Sequence, residues 1–375
     1  MQKSNKYLFF IIILLLIIIT AGVFIERKNS SSKKFEIGIL SEQLKVKNQQ
    51  LAKIQKKLSA KDINLQDVMN DGFLRFDTAI FNKSINEKLK FSKFKTQDIL
   101  FSKNGYALGS SYLEFDDNKI YLASGNGIFA YSEFNGKIEK LKIINSNIKS
   151  IVTYDKFYET SQYGIKDILI HEGNLYVSFF NEKFKDCYNL SILKSKFSTE
   201  NLNFSLFYEP KKCIKKKNKY GEFWAHQGAG GRMVPYKNNQ ILFTTGDFRY
   251  RTLAQNKDSD YAKILRINLM NGESKIVSMG HRNPQGIFYN AKDDYIISTE
   301  HGPKGGDEIN INKNPDVKMK NYGWPISSYG DHYAKHYTKE QIAKAPLHKS
   351  HKKFGFEEPI KYFVPSIGIS EIIMI

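Results

Sequence analysis

NNQILF at positions 238–243 contains the smallest unit that decides the fold, a two-residue turn followed by an unbroken apolar triplet. Paired Asn, Asp or Gly residues tolerate the left-handed backbone that a tight hairpin needs. The same unit recurs as DNKIYL at 117–122, GNLYV at 173–177 and DDYII at 293–297. The triplets begin at residues 120, 175, 241 and 295, so successive units lie 55, 66 and 54 residues apart. No helical segment between them could make parallel crossovers, and hairpins at a period near 50 are the pattern of propeller blades. The reading is an all-β protein, a β-propeller with four repeats and the start of a fifth in PSIGISEIIMI from Pro365. A six-bladed ring needs on the order of 100 further residues. The expectation is therefore an incomplete propeller of about four to five blades.

Composition agrees with many half-buried strands. The chain carries 22 Tyr and 27 Phe but only 9 Pro, and aromatic side chains suit a pleated surface packed on one face. With 375 residues and 2 Cys it is not a small disulfide scaffold. Its 57 Lys plus Arg against 38 Asp plus Glu give a net charge of +19, which raises the question of a polyanionic partner. Lysine is spread through nearly every segment, however, with one dense run at Lys211, Lys212, Lys215, Lys216, Lys217 and Lys219. Neither zinc-finger spacing nor an aromatic RNA-binding strand accompanies it, so no nucleic-acid partner is expected. Heavy use of Lys, Asn, Ile, Phe and Tyr also fits AT-rich coding.

Outward from the repeats, the N-terminus reads as a membrane end. Tyr7 to Ile25 is a 19-residue apolar run, close to the ~20 residues a spanning helix needs. It runs directly into Glu26, Arg27 and Lys28 without a small-residue cleavage site, which favours an uncleaved signal anchor over residues 1–28. Residues 29–62 form a linker and stem. In it Ile37, Leu40, Leu44, Leu51, Ile54 and Leu58 keep a 3-4 spacing broken at Lys47, either a self-associating coiled coil or an amphipathic helix on the chain's own domain. Residues 63–95 are a lead-in segment, and the propeller occupies 96–375. Cys187 and Cys213, 26 positions apart, are read as one disulfide of an exported domain, with two buried thiols as the alternative.

Three segments concentrate the chemistry. GEFWAHQGAGGRMV at 221–234 sets His226 before Gly228, Gly230 and Gly231, a turn through which backbone approaches a ligand closely. GHRNPQG at 280–286 packs His281, Arg282, Asn283 and Gln285 round Pro284, a set suited to carbonyl or carboxylate oxygens or to capping blade carbonyls. EHGPKGGDEIN at 300–310, followed by NYGWP at 321–325, places Asp307 and Glu308 beside glycines. These are hard oxygen donors of the kind Ca²⁺ prefers, or else an acidic surface turn.

Taken together and in this order, the three segments and KILRINLMNGE at 263–273 closely resemble the glucose/sorbosone dehydrogenase family, the soluble quinoprotein aldose dehydrogenases. The resemblance runs from about residue 100 to 375 and is densest over 221–325. It implies a six-bladed propeller that uses pyrroloquinoline quinone (PQQ) and calcium. It also implies His226 as general base and Arg282, Asn283, Gln285 and His301 around the quinone. The carbonyls of Gly302 and Pro303 would hold the calcium at the quinone, and Glu308 and Tyr322 would bind a second, structural calcium, with Asp307 and Asp331 near the ions. The activity so implied is oxidation of an aldose at its anomeric carbon, with electrons passed on to an acceptor. The expected location is the bacterial inner membrane, single-pass, with the propeller in the periplasm. The alternative is a non-catalytic, calcium-stabilised binding propeller, since relatives keep GHRNPQG and the acidic loop without oxidising sugars.

Overall fold

The computed structural model describes residues 77–82, 88–93, 111–134, 141–159, 162–216, 228–333 and 337–374. The apolar run 7–25, the stem 29–62 and His226 lie outside them. Among the described residues no helix is long and apolar enough to cross a membrane. Strands are numbered in chain order. A hairpin of β1 (Asp77–Asn82) and β2 (Lys88–Lys93) falls within the lead-in segment, and four larger sheets follow.

Sheet I contains β3 (Ser111–Asp116), β4 (Lys119–Ser124), β5 (Phe129–Glu133) and β6 (Lys142–Ser146). Sheet II contains β7 (Ile165–His171), β8 (Asn174–Phe184), β9 (Cys187–Lys196), β11 (Ser205–Tyr208) and β12 (Ile214–Lys215), with β10 (Asn201–Leu202) leaving it to join sheet I. Sheet III contains β13 (Gly230–Tyr236), β14 (Gln240–Thr245), β15 (Lys263–Asn268) and β16 (Ser274–Met279). Sheet IV contains β17 (Pro284–Asn290), β18 (Tyr295–Glu300), β19 (Asp307–Lys313) and β21 (Lys361–Phe363), while β20 (Lys320–Asn321) joins sheet III. Each sheet is built on an antiparallel meander. The first strands β3, β7, β13 and β17 lie side by side in that order, as the innermost strands of propeller blades do.

The repeated turns fall between the first and second strands of the sheets. Asp117, Gly173, Asn238, Asn239 and Asp294 take positive φ there, which explains their residue types, and Glu172 takes it as well without being a favoured type. In the second unit the turn is Glu172-Gly173 and Asn174 opens β8, one position earlier than the sequence unit places it. The apolar triplets become the second strands. They are unbroken because successive side chains point to opposite faces. In β14, Ile241 and Phe243 pack into the core shared with sheet II, while Leu242 packs into the one shared with sheet IV. In β8, Tyr176 and Phe180 face sheet III while Leu175, Val177 and Phe179 face sheet I.

Two short strands tie neighbouring sheets. After β9, β10 returns to pair in parallel with β6 (Asn201↔Asn145), and after β19, β20 pairs in parallel with β16 (Ser278↔Lys320). Asn147 reinforces the first tie by bonding both backbone groups of Phe204. Cys187 and Cys213 form a disulfide, the pairing expected from sequence, beside the β9–β12 ladder. The fifth repeat does not form a strand among the described residues. Its segment 366–370 runs instead past the start of β19 and alongside β18.

Candidate functional site

The inner strands β7, β13 and β17 begin, and the second strands β14 and β18 end, on one side of the sheets. Equivalent positions of successive repeats meet there around a cavity of about 530 Å³. Lys166 comes from the start of β7, Gly228 and Gly230 from the entry to β13, and Asp247 from the end of β14. Arg282, Asn283 and Gln285 come from the entry to β17, and His301, Gly302 and Asp307 from the β18–β19 connection. Arg232, Arg249, Tyr112 and Tyr333 complete much of the wall. The structure thus brings together six of the residues expected from sequence.

Arg282 is fixed along its length. Its backbone N–H donates to Glu300 Oε2 at 2.6 Å and its Nη1 to the His301 carbonyl at 2.8 Å, while the guanidinium lies 5.5 Å from the Trp324 ring centre. Its carbonyl accepts from the Asp247 amide at 2.8 Å. Asp247 in turn accepts from Trp324 Nε1 at 2.8 Å and the Arg249 amide at 2.8 Å. Burial lifts the Asp247 carboxyl above its ordinary range, with the Arg282 guanidinium opposing. Behind these groups Ser278, His281 and Glu300 form a fully enclosed chain, with His281 Nδ1 at 3.1 Å from Glu300 Oε1 and Nε2 at 2.8 Å from Ser278 Oγ. No substrate reaches this trio. Its effect is to aim Glu300 at the Arg282 turn.

Asn283, Gln285 and His301 form a second line. Asn283 Oδ1 accepts from the Gly230 amide at 3.1 Å, and Gln285 Oε1 lies 3.2 Å from His301 Nε2. Burial lowers the His301 pKa and so favours its neutral ring, with Asp307 opposing. Across the cavity Lys166 Nζ donates to the Gln162 carbonyl at 2.7 Å, and burial pulls its ammonium down to about 7. Gly231 makes room for it: at φ +115 a Cβ there would lie 2.4 Å from Lys166 Cβ. Arg232 Nη1 pairs with Asp167 at 2.7 Å and its other arm with Glu371.

Asp307 faces this cavity but is occupied. Its two oxygens accept from the amides of Gly302 (3.0 Å), Ile367 (3.1 Å), Gly368 (2.9 Å) and Ile369 (3.3 Å) and from Ser366 Oγ (3.0 Å). Burial alone would raise its pKa, but these donors outweigh it and hold the carboxyl below the ordinary range. A carboxylate has about four lone-pair sites, so little is left for a metal. The Gly302 and Pro303 carbonyls differ. Both residues are buried, and among the described residues no hydrogen-bond donor is paired with either carbonyl. The loop folds back so tightly that a Cβ on Gly302 would sit 2.1 Å from the Gly306 carbonyl oxygen. Unpaired, buried carbonyl oxygens of this kind have the donor chemistry that calcium prefers.

Glu308 and Tyr322, expected at a second calcium, lie on the other side of β19. The His351 ring stands between them, with Nδ1 2.8 Å from the Tyr322 carbonyl and Nε2 3.3 Å from Glu308 Oε1. The Tyr322 hydroxyl is spent on the Ile311 carbonyl at 2.8 Å. Asp331 reaches the loop through backbone bonds to Lys304, while its exposed carboxylate pairs with Lys349 at 2.8 Å. Among the described residues no three His, Cys, Asp or Glu side chains converge as a metal site. Sequence reasoning missed Lys166, Asp247, Trp324 and His351. For Asp247 a signal existed, because TTGD closes a repeat at the position where EHG closes the next.

Of the lysine run, Lys211, Lys212 and Lys215 line a separate open groove together with Glu209, Asp258, Asp260 and Glu273.

Comparison with known proteins agrees with this geometry. An aldose sugar dehydrogenase of Escherichia coli (strain K12) is 32% identical, over 38% of this chain and 38% of its own length. Quinoprotein glucose dehydrogenase B of Acinetobacter calcoaceticus is 34% identical, over 27% of each chain. The chain thus matches well under half the length of these curated relatives. Among solved structures, a glucose dehydrogenase superposes with a TM-score of 0.53 at 22% identity, over 69% of this chain and 73% of that one. The apo form of the soluble aldose sugar dehydrogenase of Escherichia coli also gives 0.53, at 21% identity, over 70% and 73%. At such identities these two structures establish the shared fold. A family model for glucose / sorbosone dehydrogenase matches residues 116–375, more than half of the chain, and the protein belongs to that family.

Proposed function

We propose that this chain carries the sugar-oxidising site of a PQQ-dependent aldose dehydrogenase. The observation that carries the reading is the charge and shape of the cavity. Among the lining residues Lys166, Arg249 and Arg282, with Arg232 already paired to Asp167 and Glu371, outnumber Asp247 and Asp307, and planar amides and an imidazole stand beside them. That set suits a flat quinone bearing carboxylates. When bound, the quinone supplies the two-electron acceptor.

The chain's own groups do the rest. Arg282, held at its amide, guanidinium and ring face, presents fixed positive charge where negative charge develops. Asn283, Gln285 and His301, linked to one another, fix orientation. His226, two positions before Gly228, would take the proton of the anomeric hydroxyl as general base. The Gly302 and Pro303 carbonyls would hold a calcium ion, which would supply Lewis acidity at the site.

In this reading residues 7–25 anchor the chain in the bacterial inner membrane with the sheets on the periplasmic side, the stem self-associates, and a separate acceptor removes the electrons. The Cys187–Cys213 disulfide supports an oxidising compartment.

The test is dye reduction by the purified full chain with PQQ, Ca²⁺ and a panel of aldoses. Turnover lost in His226→Ala supports the reading. Failure both to bind PQQ and to turn over overturns it, and PQQ binding without turnover on any aldose would favour a binding propeller.

A further inference from the structure

We infer that in this chain the His351 imidazole, and not a metal ion, joins Glu308 to the Tyr322 carbonyl on the outer side of β19. The donor set itself argues this. Two oxygens bound to one calcium ion can be no farther apart than about 5 Å, twice a Ca–O distance of 2.3–2.6 Å. Here the Tyr322 oxygen lies 2.8 Å from Nδ1 and the Glu308 oxygen 3.3 Å from Nε2. The two contacts leave the ring from different nitrogens and point apart, so the ring's width adds to them. One ion cannot reach both oxygens without expelling the ring.

The ring is built into its place. His351 is 1% exposed and stacks on Tyr329 at 5.4 Å and 20°, and Tyr329 stacks on Tyr362 at 3.8 Å and 7°. Tyr362 is the β21 partner of Glu308. Glu358 accepts from the His351 amide at 2.9 Å, the Lys352 amide at 2.7 Å and the Tyr329 hydroxyl at 2.7 Å, so one carboxylate fixes both the backbone and the stacking partner of the histidine. Because a carbonyl only accepts, Nδ1 must carry the hydrogen it shares with Tyr322. Nε2 stands 3.3 Å from Glu308 Oε1, within ion-pair distance though without hydrogen-bond alignment. The link that a divalent cation would make between a carboxylate and a carbonyl is carried by the chain itself. It also fastens the segment leading to β21 onto sheet IV.

The experiment uses the full chain and Tb³⁺, whose luminescence is sensitised by nearby tyrosines and which competes for calcium sites. Wild type and Glu308→Gln are expected to bind the same number of Tb³⁺ and Ca²⁺ ions, while His351→Gly gains one ion that the double variant His351→Gly/Glu308→Gln does not bind. One ion fewer in Glu308→Gln than in wild type would overturn the inference. If the variants fail to fold, imidazole ¹⁵N spectra of the unmutated chain decide. His351 resonances unmoved by millimolar Ca²⁺ support the imidazole link, and resonances that shift as Ca²⁺ binds overturn it.

Discussion

Asp307 and Glu308 leave β19 on opposite faces, and the two sides of that strand are built to different ends. On the inner side Asp307 meets backbone N–H groups, the Gly302–Gly306 loop keeps its carbonyls turned into a tight bend, and the cavity wall carries an excess of cations. On the outer side Glu308 meets one imidazole among stacked rings, with Asn310 and Glu300 nearby. A strand alternates its side chains, so one step along the sequence separates a ligand-sized space from a filled one. The lesson is that an acidic pair in a glycine loop is two sites of different kinds, and a shared carboxylate chemistry does not make them equivalent.

The sharpest way to break this contrast is at the filled side. Removing one member of a buried pair strands the other, so Glu308→Ala is expected to cost about 3–5 kcal/mol, read from the denaturant midpoint. A loss under ~1 kcal/mol would mean that the outer cluster contributes little. Next in size is Arg282→Ala on the open side. It should cut dye reduction about 10²–10³-fold, a loss of about 2.7–4 kcal/mol of transition-state stabilisation, with the far-UV spectrum unchanged. Equal losses in folding and activity would place Arg282 with the scaffold instead.

Asp307→Asn is expected to cost about 1–3 kcal/mol and to speed hydrogen exchange at the Ile367, Gly368 and Ile369 amides specifically. Its carboxyl is depressed below the ordinary 3.8, so its contribution is complete above that value and disappears as pH falls through the folded pKa. In the variant the acid limb of the stability curve should flatten.

The smallest effect is a proton. Lys166 titrates near about 7 in the folded chain against an ordinary 10.5, so between these values the unfolded chain holds a proton that the folded chain lacks, and stability rises with pH. A bound carboxylate would favour the ammonium. Calorimetry of PQQ binding at pH 8 in two buffers of different ionisation enthalpy should show uptake of up to about one proton, absent in Lys166→Met.

What the sequence makes legible follows from physics that is local. The turns need positive φ, hence Asn, Asp and Gly at 117, 173, 238, 239 and 294. The second strands are buried on both faces, hence unbroken triplets at 175–177 and 241–243. GHRNPQG and the acidic loop are short, so their residues converge wherever β17 and β18 place them. Lys166 is different: nothing local marks it, because its burial depends on Gly231, 65 positions away. His351 likewise meets Glu308 and Tyr322 only after the chain has looped back across sheet IV. The ties β10 and β20 are two residues long and show no periodicity to read.

Those ties set an order on the making of the molecule. Sheet I has its last full strand when residue 146 is made, yet the edge of β6 stays open until Leu202 arrives, 56 residues later. At about 5–20 residues per second that is roughly 3–11 s of synthesis with an unpaired edge. Sheet III waits in the same way from Met279 to Asn321. Sheets I and III are therefore each sealed by a strand made after the core of the next sheet has begun, and a chain halted before that strand presents a reactive edge to whatever folding factor or neighbouring chain meets it first.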